Sequence, residues 1–267
     1  MTFRPVAVEA GELNFGRLGE GPPIVLIPNY GRAALDFSDL AERLAGAGFE
    51  AVAINPRGSN IPPGSRQPTL HDLASDIACA MDALQISRAH LIGHAFGNRI
   101  ARCVGADHPE LVSSLVLLAA GGKYPPDPEI FNIARLFLEG EMPGTTCLDD
   151  NRRAAAVQSA WFTPRTDGRV WIEGWDPLQI LSFTAASNAT PLDDWWGGGA
   201  APMLIIQGLE DRIAPPANGR DLRDRYPGRV SLVEIPDTAH ALLPEEPDLI
   251  ASTIVEFLKA LDGDRPQ

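Results

Sequence analysis

Residues 89–97 read AHLIGHAFG, a run that contains two glycines four positions apart. We predict a strand over Ala89–Gly93 and a helix over Phe96–His108. Between them, Gly93-His94-Ala95-Phe96-Gly97 has the spacing of the G-x-S-x-G nucleophile elbow, a sharp turn from strand to helix that needs small residues at its crowded flanks. Residue 95 stands at the apex of this turn, where alanine supplies no nucleophile.

Short apolar runs alternate with helical segments on both sides of this turn. The chain begins with a predicted antiparallel pair, Phe3–Glu9 and Glu12–Gly19, joined at Ala10-Gly11. The other predicted strands are Ile24–Ile27, Ala51–Ile54, Leu115–Ala119, Met203–Gln207 and Val230–Ile235. The predicted helices around them are Asp36–Ala47, Thr69–Leu84, Asn218–Arg225 and Pro247–Leu261. This order indicates an α/β fold, with a mostly parallel sheet of about eight strands flanked by helices.

Residues 123–197 break this alternation. They contain all five tryptophans and three predicted helices, Glu129–Leu138, Asn151–Phe162 and Pro177–Ala186. We therefore predict a core domain made of residues 1–122 and 198–267, and an inserted helical cap of residues 123–197 over the carboxyl edge of the sheet. Gly197-Gly198-Gly199 is interpreted as a flexible return from the cap to the core.

The net charge of the chain limits the kinds of partner that it can bind. The 267 residues carry a formal net charge of −13, and the sequence pI is about 4.8. Such a surface repels phosphate groups, so we predict neither nucleic-acid binding nor attachment to an anionic membrane. No apolar stretch approaches the roughly 20 residues of a membrane-spanning helix, and the first residues lack the apolar core of a signal peptide. We therefore expect a cytoplasmic protein, either a monomer or a homodimer.

The cysteines and histidines form no metal-binding motif. Cys79, Cys103 and Cys147 form no C-x-x-C pair, and no two histidines belong to an H-x-x-H or H-E-x-x-H motif. We expect buried thiols in a reducing compartment, and no metal. We expect His94 to be structural, and three further histidines to be solvated or packed: His71, His90 and His108.

Two further strand ends carry polar residues. Open parallel sheets bind ligands at the carboxyl ends of their strands. Asp211 follows the strand Met203–Gln207, and His240 follows Val230–Ile235. The order of elbow, acid and histidine along the chain is that of a Ser…Asp…His triad. Two rival acids, Glu210 and Asp237, are expected to be surface groups.

On these residues the sequence resembles the α/β-hydrolase family over essentially its whole length. The stretch Ile24–Tyr30 stands where that family has an apolar strand and a His-Gly turn, although this chain has Pro28-Asn29-Tyr30-Gly31 there. Asn55-Pro56-Arg57-Gly58 is similar to the D-x-R-G loop of the family. The resemblance implies a hydrolase of a small hydrophobic carboxylic ester or lactone, with no cofactor and no metal.

The resemblance also implies roles for individual residues. The backbone N–H groups of Tyr30 and Phe96 are expected to form the oxyanion hole. His240 is expected to act as general base and then acid, with Asp211 orienting its imidazole. In the cap, a tryptophan is expected to contact the substrate. Tyr30 and Trp175 are our candidates for substrate contacts, whereas Arg32 near the same mouth is expected to be a solvated surface residue.

Ala95 leaves two interpretations open. In the first, Ala95 replaces the catalytic serine of an active parent, so this chain is an inactive variant of an enzyme that works through an acyl-enzyme. The presence of both Asp211 and His240 favours this interpretation. In the second, Ala95 is native. The chain is then a cofactor-free lyase or oxygenase in which His240 and Asp211 deprotonate a water or an acidic substrate, or a non-catalytic receptor for a small ligand.

Overall fold

The structure is a computed structural model, and it describes residues 1–9, 11–57, 66–142, 144–146 and 148–263. Three features of the sequence prediction fall outside these residues: Ala10 of the first turn, most of the loop after Asn55 including Gly58, and Cys147.

Eight strands form one sheet in the order β1-β2-β4-β3-β5-β6-β7-β8. The strands are β1 (Phe3–Val8), β2 (Gly11–Leu18), β3 (Pro23–Ile27), β4 (Glu50–Asn55), β5 (Ala89–His94), β6 (Val112–Leu118), β7 (Met203–Gly208) and β8 (Val230–Ile235). β1 pairs antiparallel with β2, and β2 pairs antiparallel with β4; every other pairing is parallel. The predicted mostly parallel, eight-stranded sheet is confirmed.

Ten α-helices are present in the described part of the chain. They are α1 (Ser38–Gly46), α2 (Leu70–Ala83), α3 (Phe96–Asp107), α4 (Pro128–Gly140), α5 (Asp150–Trp161), α6 (Pro177–Ala189), α7 (Leu192–Trp195), α8 (Ala217–Arg225), α9 (Leu242–Glu245) and α10 (Pro247–Gly263). The sequence did not predict α7 and α9, because four residues are too few to show a helical period. No helix among the described residues is long and apolar enough to cross a bilayer.

The two faces of the sheet carry separate hydrophobic cores, and β3 shows why its sequence is apolar throughout. Val25 and Ile27 pack into one core, and Ile24 and Leu26 pack into the other. All four side chains are fully buried. Successive side chains on a strand point to opposite faces, so a strand covered by helices on both sides has no polar positions.

α2 begins with the capping box that its sequence predicts. The Thr69 hydroxyl accepts a hydrogen bond from the backbone N–H of Asp72 at 3.2 Å, and the Asp72 carboxylate accepts the N–H of Thr69 at 2.7 Å. Two N–H groups that the first turn of the helix leaves without partners are thereby satisfied.

The segment 123–197 supplies α4 to α7 between β6 and β7. Its return to the sheet is packed, which corrects the interpretation of residues 197–199 as a flexible return. Gly198 and Gly199 have φ angles of +62° and +71°, and a Cβ on Gly199 would lie 1.9 Å from the carbonyl oxygen of Gly105. The glycines therefore permit a close backbone contact with α3. The division of the chain into a core domain and a cap stays a prediction.

Candidate active site

The turn between β5 and α3 is strained at Ala95. This residue has φ +49° and ψ −106°, and its N–H donates to the carbonyl of Leu118 at 2.8 Å. A Cβ on Gly97 would lie 2.1 Å from the carbonyl oxygen of Ile27, and Gly93 is similarly crowded. A positive φ at a non-glycine residue costs about 1–3 kcal/mol and persists only where the surrounding packing enforces it. Here the close approach of β3 to α3 enforces it.

His240 and Asp211 form a buried pair at the ends of β8 and β7. Nδ1 of His240 lies 2.9 Å from Oδ2 of Asp211, and each residue is 2% exposed. The Asp211 carboxylate also accepts the N–H groups of Ile213 and Ala214 at 2.9 and 2.7 Å, and the side-chain amide of Gln207 at 3.3 Å. An acceptor on Nδ1 fixes the tautomer of the ring, so Nε2 is the nitrogen that can take a proton.

His94 holds the backbone of His240 in place. Its Nε2 lies 2.9 Å from the carbonyl oxygen of His240, and the two rings are 5.5 Å apart. Burial, with a smaller effect of the neighbouring His240, lowers the pKa of His94 to about 3. The ring is therefore neutral near pH 7, and its N–H donates to the carbonyl. His94 therefore contacts the backbone of His240, whereas Asp211 contacts its ring.

Asn29 occupies the point on which the two expected oxyanion-hole donors converge. Its side-chain oxygen accepts the backbone N–H of Tyr30 at 2.8 Å and the backbone N–H of Phe96 at 3.3 Å. Asn29 is 2% exposed, and its Nδ2 has no hydrogen-bond partner in the described part of the chain. The donors that the sequence predicts are thus brought together, but an oxygen of the protein itself already accepts from both.

Asn29 is a site residue that sequence reasoning missed. The available signal was a polar side chain close behind the buried strand β3, in the turn that stands where the family has its His-Gly turn.

A cavity of about 450 Å³ lies over these residues. Its wall includes Ala95, Asn29, Tyr30 and His240 from the strand ends, and Arg99 from α3. The segment 123–197 supplies the opposite wall through Phe131, Ala134, Leu138, Trp161, Ile180 and Leu181. The chamber is therefore mainly apolar, with polar groups both near Ala95 and on the inserted segment, as is typical of a small-molecule site.

Trp175, which the sequence predicts to contact substrate, does not line this cavity; Trp161 does. The Trp175 indole N–H donates to the carbonyl of Trp171 at 2.6 Å, and its ring packs on Trp161 and Phe137 with centroids 4.9 and 5.7 Å away. The guanidinium carbon of Arg32 lies 5.0 Å from the centre of the Trp175 ring. Trp175 therefore supports Trp161 from behind the wall.

Arg32 is also placed differently from the expectation of a solvated side chain. It is only 6% exposed, and its guanidinium pairs with both carboxylate oxygens of Asp36 at 2.8 Å. A third hydrogen bond joins it to the carbonyl of Glu173 at 2.6 Å. Arg32 therefore ties the turn after β3 to the inserted segment.

One cluster of metal-ligating atoms occurs among the described residues. Single atoms of His71, Cys103 and Asp107 lie within 4.8 Å of one another, with a 2.8 Å contact between His71 Nδ1 and Asp107. Burial and the neighbouring Asp107 raise the pKa of the Cys103 thiol, which disfavours the thiolate that a metal needs. None of the three residues lines the cavity.

Comparison with known proteins identifies the family. The sequence profile described as alpha/beta hydrolase fold matches residues 22–247, so the chain belongs to the α/β-hydrolase family. A protein named as a non-heme bromoperoxidase, BpoC of Mycobacterium tuberculosis, is 27% identical over 91% of this chain and 96% of its own length. The rhodomycin D methylesterase DauP of a Streptomyces species is 27% identical over 89% of this chain and 91% of its own length.

Among solved structures, the enol-lactonase from Burkholderia xenovorans LB400 superposes with a TM-score of 0.76 at 25% identity. The match covers 96% of this chain and all of that protein. The resemblance to the family, predicted from the strand ends, is confirmed.

Proposed function

We propose that this chain hydrolyses hydrophobic carboxylic esters or lactones by direct attack of water, with His240 as the general base and Asp211 orienting it. One observation carries the proposal: His240, paired with the buried Asp211, lines a mainly apolar cavity whose elbow residue, Ala95, offers no nucleophile. The names of two relatives, a methylesterase and an enol-lactonase, support the ester and lactone class.

In the proposed reaction, His240 Nε2 takes a proton from a water molecule as the water oxygen attacks the carbonyl carbon. The imidazolium that forms is stabilised by Asp211. It then returns the proton to the leaving oxygen as the carbon–oxygen bond breaks, which gives a carboxylic acid and an alcohol. General base catalysis of this kind contributes about 10²- to 10⁴-fold in rate.

Asn29 sets how charge on the carbonyl oxygen is stabilised. Its Oδ1 accepts from both N–H groups of the expected hole, so those groups are not available while Asn29 keeps this position. Asn29 lines the same cavity, and its Nδ2, which is buried and without a partner among the described residues, is the donor we assign to the developing oxyanion.

We also propose that residues 123–197 act as a cap that excludes bulk water. The cavity wall on the side of this segment includes Phe131, Trp161 and Ile180. The wall on the side of the sheet includes Ala95 and His240. An apolar wall strengthens the hydrogen bonds of the polar groups inside it and admits a hydrophobic acyl or alcohol group.

The interpretation of Ala95 as a replaced serine is the second candidate. The observation in its favour is the strained backbone at Ala95, which has the conformation of a nucleophile elbow although alanine makes no use of it. In that case the same His240 and Asp211 serve an acyl-enzyme mechanism in the parent enzyme, and this chain binds its ester without cleaving it.

A turnover assay tests the proposal. The chain and its His240→Gln variant are compared on a panel of aryl esters and lactones, with His108→Gln as the control for substitution of a histidine away from the cavity. We expect turnover that falls at least about 10²-fold in His240→Gln, since the general base is lost, and stays unchanged in His108→Gln. Complete inertness of the unmodified chain toward every substrate would contradict the proposal.

A further inference from the structure

We infer that Arg99 forms a carboxylate-binding subsite in the cavity, so that the preferred ligand is a hydrophobic compound bearing an ionised carboxylate. As a statement about substrate, the inference rests on the proposed function: the substrate is then a half-ester of a dicarboxylic acid, or a lactone that carries a carboxylate. As a statement about binding, it stands on the geometry alone.

Arg99 is placed next to the reacting centre. It lies on the first turn of α3, four residues after Ala95, and its side chain lines the cavity together with Ala95 and His240. Four residues correspond to about 6 Å along a helix axis. Because both residues line one cavity, a single ligand can place a carboxylate on Arg99 and a carbonyl carbon beside Ala95.

The charge of Arg99 is not neutralised by the protein. Its guanidinium hydrogen-bonds to the neutral hydroxyl of Ser187, and in the described part of the chain no carboxylate lies within 4.0 Å of it. The contrast is Arg135, which lines the same cavity and forms an ion pair with Glu139. Of the two arginines in the wall, Arg99 alone is left without an acidic partner among the described residues.

The surroundings of Arg99 make an anionic ligand favourable. Its guanidinium lies 5.5 Å from the ring centre of Phe96 and 5.8 Å from that of Trp195, and burial lowers its pKa. A half-buried cation interacts more strongly with an ionic partner than a fully exposed one, because the effective dielectric constant around it is lower. The planar guanidinium can bind both oxygens of a carboxylate in parallel.

The negative net charge of the molecule and the apolar wall of the cavity make this subsite selective among anions. The chain has a net charge of −13, so its surface repels anions at large. An anion therefore gains by entering the cavity only if its apolar body fills the chamber and its carboxylate reaches Arg99. A hydrophilic anion such as acetate lacks the apolar contacts, and a neutral ester lacks the ionic one.

Calorimetric binding of 4-phenylbutyrate and its neutral analogue 4-phenylbutyramide tests the subsite without turnover. Hydrogen bonds to charged groups contribute enough free energy for the carboxylate to bind at least about tenfold more tightly than the amide. In Arg99→Met this preference should fall to about unity while the amide affinity stays within about threefold, since its apolar contacts remain. Arg99→Lys keeps the charge and should keep part of the preference, and the control Arg135→Met should keep most of it.

Equal affinity of the unmodified chain for the two ligands would overturn the inference, and so would a preference that survives in Arg99→Met. The first comparison needs no variant, so the inference stays testable if Arg99→Met fails to fold. A chain that prefers the carboxylate but hydrolyses no ester would contradict the proposed function and leave the subsite in place.

Discussion

The side-chain oxygen of Asn29 lies 3.3 Å from the backbone nitrogen of Phe96, whose N–H it accepts. Phe96 is the residue after the elbow position, and its N–H is one of the two that the family resemblance assigns to the oxyanion hole. The same oxygen accepts the other one, from Tyr30. The protein thus supplies its own acceptor where the family resemblance places the oxyanion hole, and it does so in a chain that has no serine at the elbow.

Asn29→Asp tests whether Nδ2 is the donor to the oxyanion. Aspartate keeps an oxygen that accepts from Tyr30 and Phe96, but it replaces the free N–H donor by a second acceptor. We expect kcat to fall by about 10²-fold or more, which is typical for loss of one oxyanion donor. Steady-state kinetics with the best ester of the panel measures it. Unchanged kcat would show that Nδ2 has no part in the reaction.

A double-mutant cycle tests whether Asn29 blocks the hole. We expect Ala95→Ser alone to gain little, because the two N–H groups stay occupied, whereas Ala95→Ser with Asn29→Ala should exceed it by about 10²-fold. The unmodified chain, the single variants Ala95→Ser and Asn29→Ala and the double variant are assayed on the same aryl ester, and their melting temperatures are compared to exclude a folding defect. Additive effects of the two substitutions would contradict the coupling.

His94→Leu tests the positioning of His240. Leucine fills the space but removes the donor to the His240 carbonyl, so the loop that holds the base loses its support on that side. We expect kcat to fall by about tenfold or more with little change in KM, because misplacing a base by a fraction of an ångström affects the reaction and not the apolar contacts. His94→Gln, which retains an N–H donor, should recover part of the loss; equal defects in the two variants would exclude this role.

His94 should also make stability depend on pH. Its pKa is about 3 in the folded protein and near 6.5 in the unfolded chain. Between these values the unfolded state binds a proton that the native state does not, so stability falls as pH decreases through this window. Denaturant titrations from pH 7 to pH 4 should show a smaller loss in His94→Gln than in the unmodified chain. Parallel pH dependence of the two proteins would contradict a neutral, buried His94.

Gly199→Ala tests whether the return to the sheet is packed. Both Gly199 and Gly144 have a positive φ, but a Cβ on Gly144 meets nothing within 4 Å, whereas one on Gly199 meets the carbonyl oxygen of Gly105. Alanine at a positive φ strains the backbone in both variants. The difference in stability between the two variants therefore reports the clash of the new Cβ with Gly105. We expect Gly199→Ala to be less stable than Gly144→Ala by about 1–3 kcal/mol in chemical denaturation. Equal stabilities would favour a flexible return.

Much of the fold and of the site follows from local sequence. The unbroken apolar run of β3 predicts a strand buried on both faces, and the glycines at 93 and 97 predict a turn that only small residues allow. Asp211 and His240 could be chosen because parallel strands end at one edge of the sheet, where their following residues must meet. The structure brings these two side chains to 2.9 Å.

The remainder depends on tertiary packing that periodicity does not report. Trp161 and Trp175 lie in the same aromatic cluster, but only Trp161 lines the cavity. Trp175 is held behind it by its hydrogen bond to Trp171 and by the guanidinium of Arg32. The role of Asn29 needs the distance between the turn after β3 and the start of α3. No spacing in the sequence gives that distance.

The central claim, direct attack of water, is tested by comparing kcat/KM of the unmodified chain with that of Ala95→Ser. The substrate is a half-ester that releases an aryl alcohol, and intact-protein mass spectrometry then shows whether either protein carries an acyl group. We predict turnover by the unmodified chain, a gain of less than about tenfold in Ala95→Ser, and no acyl adduct, because Asn29 keeps the hole occupied. An inert chain whose serine variant gains several orders of magnitude and carries an acyl group on residue 95 would contradict the account and identify a disabled serine hydrolase.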